Sequence, residues 1–492
     1  MTTSISKRLT AAVGALALGI LGAVAVATPA SATPVTPVNV GNITGESGSL
    51  TIHKYERTAD SPLDPGTGEQ IPGFTGIGLD GVEFTVQKVT TPALTTTAGW
   101  DAVEAIADAA DPIAAATTAG LTPVTSVTTA NGGVATANLP YALYLVTETN
   151  SPSTVTDKAA PFLVTIPFPT GPDAENPNEW IYDVHVYPKN GVTDLEKTVV
   201  APTAGELAFG DLVRWQIVAG VPVLADGEEL SEFVVRDQLD PAQLAFVTDA
   251  QATALGIAPS SVIVTDGSNA PVALVAGDYS IAPVGANELA VTFTASGLTK
   301  LAGAQGGTVT FTVLTQVKAI PANGVIENDA ISVVNDSELT ASTTTTVGQL
   351  RVLKYAKTDA NPEVPLTGAK FALFLDEAGT KPVTVAGASE WTTAAGGLLN
   401  IPSLRPGTYW LVETAAPAGY VLDATPRQVQ VVAGQATTSV NFVKVENEQV
   451  PAWELPLTGG DGALWFGVGG AALVAITVGA AVLISRRAKA NA

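Results

Sequence analysis

Short runs in which apolar and polar residues alternate fill the chain from Thr33 to Gln449, for example Ser49–Tyr55, Val82–Val89, Tyr141–Thr147, Phe162–Ile166, Thr308–Val317 and Gln428–Val432. Alternation of period two in Val- and Thr-rich runs, punctuated by Gly, Pro, Asn and Asp, predicts half-buried β-strands joined by turns. Strands this short, at close intervals, predict β-sandwiches. One stretch breaks the pattern. From Gly99 to Thr118 the chain is alanine-rich, and Trp100, Val103, Ile106 and Ile113 recur at helical spacing, which predicts one or two short helices inserted in the first domain.

Both ends carry unbroken apolar runs of a different kind. Lys7 and Arg8 precede the run Ala11 to Ala27, and Ala30-Ser31-Ala32 fits a small-x-small cleavage site. Residues 1–32 therefore read as an export signal, with a mature chain beginning at Thr33. Near the other end, Ala463 to Ile484 is long enough as a helix, about 33 Å, to cross a ~30 Å hydrocarbon core. Arg486, Arg487 and Lys489 follow it and predict a cytoplasmic tail behind a membrane helix.

Between these ends a weak internal repeat appears. Leu50-Thr-Ile-His-Lys54-Tyr55, Leu79-Asp-Gly81-Val-Glu-Phe84 and Tyr144-Leu-Val-Thr-Glu148-Thr149 recur, in the same order, as Leu350-Arg-Val-Leu-Lys354-Tyr355, Leu366-Thr-Gly368-Ala-Lys-Phe371 and Tyr409-Trp-Leu-Val-Glu413-Thr414. First and last domains thus share one fold. The segment Gly191 to Thr346 lacks the L-x-G-x-x-F element and reads as a related but different sandwich.

Composition narrows the function classes. The 492 residues predict about three domains, at roughly 150 residues each. Forty-six acidic residues against 23 basic ones give a formal charge of −23, which disfavours nucleic acid as a partner. The absence of cysteine excludes disulfides, thiolate metal sites and a cysteine nucleophile. His53 and His185 alone leave little for a zinc site or a Ser/His/Asp triad, and they are expected on outer strand faces, far apart in sequence. No phosphate-binding glycine loop is present, and no cofactor or metal is expected. The acidic stretch Asp60 to Glu69 lacks EF-hand spacing and reads as a solvated loop. An exported chain without disulfides needs another staple.

Three motifs point to one. Leu455-Pro456-Leu457-Thr458-Gly459 stands just before the C-terminal apolar run, and with the run and the basic tail it resembles the tripartite cell-wall sorting signal of Gram-positive bacteria. Trp180-Ile-Tyr-Asp-Val184-His-Val186-Tyr187-Pro188-Lys189 resembles the pilin motif (W-x-x-x-V-x-V-Y-P-K) at every defined position, on a strand expected to end at Pro188 with Trp180, Tyr182, Val184 and Val186 on one face. Tyr409-Trp-Leu411-Val-Glu413 followed by Ala416-Pro417-Ala-Gly419-Tyr420 resembles the E-box of the same family. Together they resemble the sortase-assembled major (shaft) pilins of the SpaA type and of actinomycete fimbriae.

The resemblance implies an all-β chain of tandem immunoglobulin-like sandwiches of collagen-adhesin type, CnaB-like first and last and CnaA-like in the middle. The expected divisions are 1–32 (signal), 33–190 (ending in the pilin motif), 191–347, 348–450 and 451–492, the last holding the motif 455–459 and a membrane helix at 463–484. It implies that a sortase thiolate cuts between Thr458 and Gly459 and that Lys189 of the next subunit takes the acyl group. It also implies internal Lys–Asn bonds, each assisted by a carboxyl group. The expected sets are Lys354, Glu413 and Asn447, with Asn441 as alternative acceptor; Lys197, Asp237 and Asn328, with Asn335 as alternative; and Lys54, Glu148 and Asn190. Such a chain is no enzyme. Its implied partners are pilus-specific and housekeeping sortases, identical subunits stacked head to tail, minor tip or basal pilins and peptidoglycan. The membrane helix holds it only transiently before it joins a wall-anchored surface fimbria. Two rivals stay open on the sequence: a wall-anchored adhesin displayed as a monomer, which has no need of Lys189, and a wall-anchored hydrolase.

Overall fold

A computed structural model describes residues 42–58, 66–170, 179–225, 227–335, 337–357 and 363–451. The expected export signal, membrane helix and sorting motif, including Leu455, Pro456, Leu457, Thr458 and Gly459, lie outside the described residues, as does most of the Asp60 to Glu69 loop. The described chain is almost wholly β, as the alternation predicts, and forms three successive sandwiches.

In the first, strands Asp183–Val186, Ser47–His53 and Val134–Pro140 form one sheet, and Leu121–Thr128, Glu83–Val89, Ala142–Asn150 and Phe162–Ile166 form the other. Leu50, Ile52, Phe84, Val86, Tyr144 and Val146 fill the space between them. The strand Ala142–Asn150 is buried on both faces, because Leu143 and Leu145 point away from that core into a second one. There the helices Thr97–Ala107 and Pro112–Ala119 cover the sheet with Trp100, Val103 and Ile106, at the helical spacing read from the sequence. Thr96 and Asp111 cap the two helices through their side-chain oxygens, which fixes where each begins.

The middle sandwich pairs Leu195–Val199, Leu212–Gly220, Thr308–Val317, Ser261–Thr265 and Pro271–Val272 against Tyr279–Val284, Glu288–Phe293, Phe233–Gln238, Val325–Val334 and Ser337–Thr346. Its core is built on Ile217, Phe233, Val235, Val291, Phe311 and Val313. The last sandwich sets Gly348–Ala356, with Leu398–Leu404 and Phe442–Glu446 alongside it, against Lys370–Phe374, Gly407–Ala415 and Arg427–Val431.

First and last sandwiches share a register that matters for chemistry. The opening strand of each runs parallel to its closing strand: Ser47–His53 beside Asp183–Val186, and Gly348–Ala356 beside Phe442–Glu446. Lys354, near the end of its opening strand, is thereby laid next to Asn447, which follows its closing strand; Lys54, just past Ser47–His53, is likewise laid next to Asn190, on the strand Lys189–Val192 that comes after Asp183–Val186.

Two expectations for the pilin-motif strand need correcting. The alternation does not run through it. Trp180 packs toward Trp100 on the helical side, whereas Ile181, not Tyr182, joins the sandwich core with Val184 and Val186. The break lies where the two-residue strand Trp180–Ile181 leaves its partner Phe168–Pro169 and the chain passes to the other sheet. Nor does pairing stop at Pro188, since Lys189–Val192 forms a further strand between Tyr55–Glu56 and Val155–Asp157. The histidines do lie on the face away from the core that Leu50, Ile52, Val184 and Val186 enter, but they are not apart: the parallel pairing brings His53 to His185, with Nε2 and Nδ1 2.8 Å apart, and the ring of Tyr187 stacked on His53 leaves it buried.

Candidate functional site

Each sandwich buries one lysine beside one asparagine amide and one carboxyl group. Lys54 and Lys354 are fully buried and Lys197 nearly so. An aliphatic strand position would normally hold an apolar residue, so a lysine there without solvent requires partners.

In the first sandwich Lys54 Nζ lies 2.9 Å from Glu148 Oε2 and donates to Asn190 Oδ1. Asn190 Nδ2 donates to Glu148 Oε1 at 2.6 Å. The Ala159 amide donates to Asn190 Oδ1 at 2.7 Å and to Glu148 Oε2 at 3.2 Å. The last sandwich repeats the arrangement. Lys354 Nζ lies 3.3 Å from Glu413 Oε1 and donates to Asn447 Oδ1, whose Nδ2 donates to Glu413 Oε1 at 2.9 Å. The Asp423 amide donates to Glu413 Oε2 at 3.1 Å, in the place of Ala159.

The middle set is built differently. Lys197 stands on one sheet, while Asp237 and Asn328 occupy neighbouring strands of the other. Lys197 Nζ lies 2.6 Å from Asp237 Oδ2 and donates to the Asp329 carbonyl at 2.6 Å. Asn328 Nδ2 is 3.2 Å from both Asp237 oxygens, and its buried Oδ1 has no partner among the described residues. All nine residues expected from the sequence are thus brought together in threes. The alternatives are not. Asn335 accepts the amides of Ser231 and Glu232 at positive φ, and Asn441 bonds Val432 at positive φ, so both side chains are engaged in turns.

Burial sets the electrostatics. It holds the amines of Lys197 and Lys354 below the usual lysine range and brings Lys54 to about 8, in each case against the pull of the neighbouring carboxylate. Burial raises the Asp237 carboxyl above its ordinary value despite Lys197 beside it. Both directions favour neutral amine and neutral acid. An aromatic ring underlies each amine: Phe84 at 5.7 Å, Trp215 at 5.6 Å and Phe371 at 5.7 Å.

This gives the sequence repeat a physical role. Phe84 and Phe371 end its L-x-G-x-x-F element, and the amides of Leu79 and Leu366, which begin it, donate to the carbonyls of Lys54 and Lys354 at 2.9 and 2.8 Å. Sequence reasoning missed two glycines of the same environment. Gly133 and Gly397 both have positive φ, and a Cβ on either would stand 2.1 or 2.3 Å from the carbonyl oxygen of Lys54 or Lys354. Their signal, a glycine before each following strand, was present but is common to most turns.

Lys189 differs from these three. It is half-buried, on the strand whose next residue, Asn190, is fully buried. Burial and the neighbouring Arg57 both hold its amine below the usual lysine range. Arg57 Nη2 donates to the Lys189 carbonyl at 3.0 Å. In the E-box segment, Tyr409 and Leu411 enter the core, Glu413 joins its lysine and asparagine, and Pro417 to Tyr420 closes a turn bonded to Val450.

Comparison with known proteins follows the same lines. Residues 45–191 match the Gram-positive pilin subunit D1, N-terminal domain, and residues 351–446 match the prealbumin-like fold domain. The chain is 30% identical to the fimbrial subunit type 2 of Actinomyces naeslundii, over 99% of this chain and 97% of that one. It is 27% identical to the fimbrial subunit type 1 of Actinomyces viscosus, over 94% and 95%. Among solved structures, the full-length major pilin SpaD from Corynebacterium diphtheriae superposes with a TM-score of 0.61 at 24% identity, over 84% of this chain and 100% of that one. The major pilin SpaA from the same organism gives 0.50 at 25% identity, over 81% and 99%.

Proposed function

The chain belongs to the Gram-positive fimbrial subunits, the sortase-type major pilins, and from that premise we propose that it is the shaft subunit of a covalent surface fibre, joined from Thr458 of one copy to Lys189 of the next. A sortase thiolate attacks the Thr458 carbonyl, the Thr458–Gly459 bond breaks, and a thioester forms. The neutral amine of Lys189 then attacks that carbonyl and releases the thiolate. The same reading divides the mature chain at 33–190, 191–347 and 348–450, with processing segments at 1–32 and 451–492. The fibre ends on peptidoglycan, and minor pilins share it.

Within each sandwich the neutral lysine attacks the asparagine Cγ. A new N–C bond forms, the Cγ–Nδ2 bond breaks, and the carboxyl group carries the proton to departing ammonia. The fold supplies proximity in place of an enzyme. Support comes from the amide orientation at Lys54 and Lys354. Asn190 and Asn447 turn Oδ1 to the amine and Nδ2, the leaving group, to the acid.

The observation that carries the shaft reading is the adjacency of Lys189 and Asn190 on one strand. Load arriving at Lys189 passes through the next residue into Lys54 and the opening strand, without relying on the short hydrogen-bonded pairing of Tyr55–Glu56 with Lys189–Asn190. Three internal bonds make the mature chain lighter than its sequence by three ammonia, about 51 Da by covalent stoichiometry. Intact-mass measurement of the chain from Thr33 to Thr458 checks this, and an unreduced mass would overturn the internal-bond reading. A ladder of boiled, detergent-resistant multimers released from the cell surface checks the fibre, together with a branched peptide joining Thr458 to Lys189. A chain found only as a single wall-linked species supports the monomeric adhesin instead.

A further inference from the structure

Arg57 and Asp157 form an ion pair, each about one-sixth exposed, at the junction of the first and middle sandwiches. Neither takes part in the three buried sets, yet their bonds converge on the acceptor strand. Arg57 donates from its backbone amide to the Asn190 carbonyl at 2.7 Å and from Nη2 to the Lys189 carbonyl at 3.0 Å. Its Nη1 reaches the Val223 carbonyl at 3.5 Å, and Asp157 Oδ2 accepts the Ala225 amide at 3.1 Å. Val223 and Ala225 follow the strand Leu212–Gly220 of the middle sandwich. Asp157 also pairs with Gly191, two residues beyond Lys189. One ion pair therefore grips Lys189, Asn190 and Gly191 and fastens them to the next sandwich.

We propose that Arg57 is a positioning residue for the acylation of Lys189, holding the acceptor strand in place with Asp157 and presenting a fixed positive charge to the lysine amine. This rests on the reading of Lys189 as the acceptor. The charge acts in the useful direction. Attack requires the unprotonated amine, and a cation nearby disfavours the ammonium. Arginine suits this better than lysine because it stays charged and bonds several carbonyls from one planar fork. The other charged or titratable groups on the elements packed around Lys189 are Tyr55 and Glu56 on one neighbouring strand, Asp157 and Lys158 on the other, and Tyr187 and Asp194 on its own segment. Of these, Asp157 is paired with Arg57.

The test is the pH dependence of Lys189 acetylation by limiting acetic anhydride, followed by peptide mass mapping, on the chain from Thr33 to Thr458, which contains every described residue. Arg57→Gln should move the Lys189 profile to higher pH by about half to one unit, and the surface ladder should weaken. Asp157→Asn breaks the same clamp but keeps the cation, so the ladder weakens with no upward shift. Arg57→Lys restores the profile without restoring the ladder in full, and it decides the matter should Arg57→Gln fail to fold. A purely structural clamp predicts that Arg57→Gln and Asp157→Asn behave alike, and coincident profiles overturn the proposal. Failure of the acceptor reading has a different signature, a ladder that persists without Lys189.

Discussion

Replacing Lys189 with alanine should abolish the multimer ladder and leave a single wall-linked band. The reason is chemical. The acyl group held at Thr458 needs an amine, and on this strand the residues beside Lys189 are Pro188 and the buried Asn190. Removing a nucleophile costs many orders of magnitude in rate, so the ladder should fall below detection on a boiled surface blot. Lys189→Arg should fail as well. It keeps the charge and much of the bulk, but a guanidinium does not give up its proton at any pH a cell tolerates. The pair of variants separates chemistry from packing. Lys189 is half-buried on the outside of the strand, whereas Lys54, Glu148 and Asn190 meet inside, so both variants should keep the full ammonia loss of the parent. Survival of the ladder in either variant removes Lys189 from the linkage and returns the monomeric adhesin to first place.

How far this site was legible in the sequence depends on which kind of contact built it. Period-two alternation located the strands, because each sheet has one face on a core and one toward solvent or a helix. The lysines came from the resemblance and, for Lys54 and Lys354, from the internal repeat; the structure shows both side chains buried, Lys354 continuing the inward positions Leu350 and Val352 and Lys54 those of Leu50 and Ile52. Choosing Asn447 over Asn441 followed from family resemblance, and the structure gives the reason: Asn441 is committed to a turn. What stayed hidden came from pairing between distant strands. Nothing local to His53 indicates that His185 will lie 2.8 Å away; that is a consequence of the parallel register of first and last strands. Arg57 and Asp157 look like ordinary charged residues until the Val155–Asp157 strand is laid beside Gly191. The failed prediction for Trp180 and Tyr182 has a local cause, a change of sheet within two residues, which alternation alone does not register.

The middle sandwich gives the second large effect, and Asp237→Asn is its sharpest probe. Asparagine fits the space of aspartate but cannot carry a proton from the attacking amine to the leaving ammonia. Lys197 and Asn328 should remain unjoined, and the chain should be about 17 Da heavier than the parent, apart from the substitution itself, by the same stoichiometry. Stability should fall for two reasons. The proposed cross-link would close a loop of more than about 100 residues, for which chain entropy gives roughly 4–5 kcal/mol. The unjoined Lys197 is also left buried without its carboxylate, and breaking a buried pair costs about 3–5 kcal/mol, part of which is relieved if the amine sheds its proton. The two contributions overlap, so about 5 kcal/mol is a fair working figure, or a fall of about 10–20 °C in the melting temperature of this sandwich. The sign with pH follows from the direction of the Lys197 shift. A lysine held below its ordinary range in the fold destabilises it whenever the unfolded chain would be protonated, so the variant should recover part of its stability as pH rises toward the usual lysine range. If its amine is consumed in an amide, as proposed, the parent should show no such recovery from Lys197. Lys357→Ala, which breaks the exposed pair with Glu446, is the matched control, and both mass loss and melting should stay at parental values. If Asp237→Asn melts with the parent and carries the same mass deficit, the bond forms without the Asp237 carboxyl group, and that group has no part in it; if the deficit is lost and melting is unchanged, the middle sandwich owes its stability to the packing of Ile217, Phe233 and Phe311 instead.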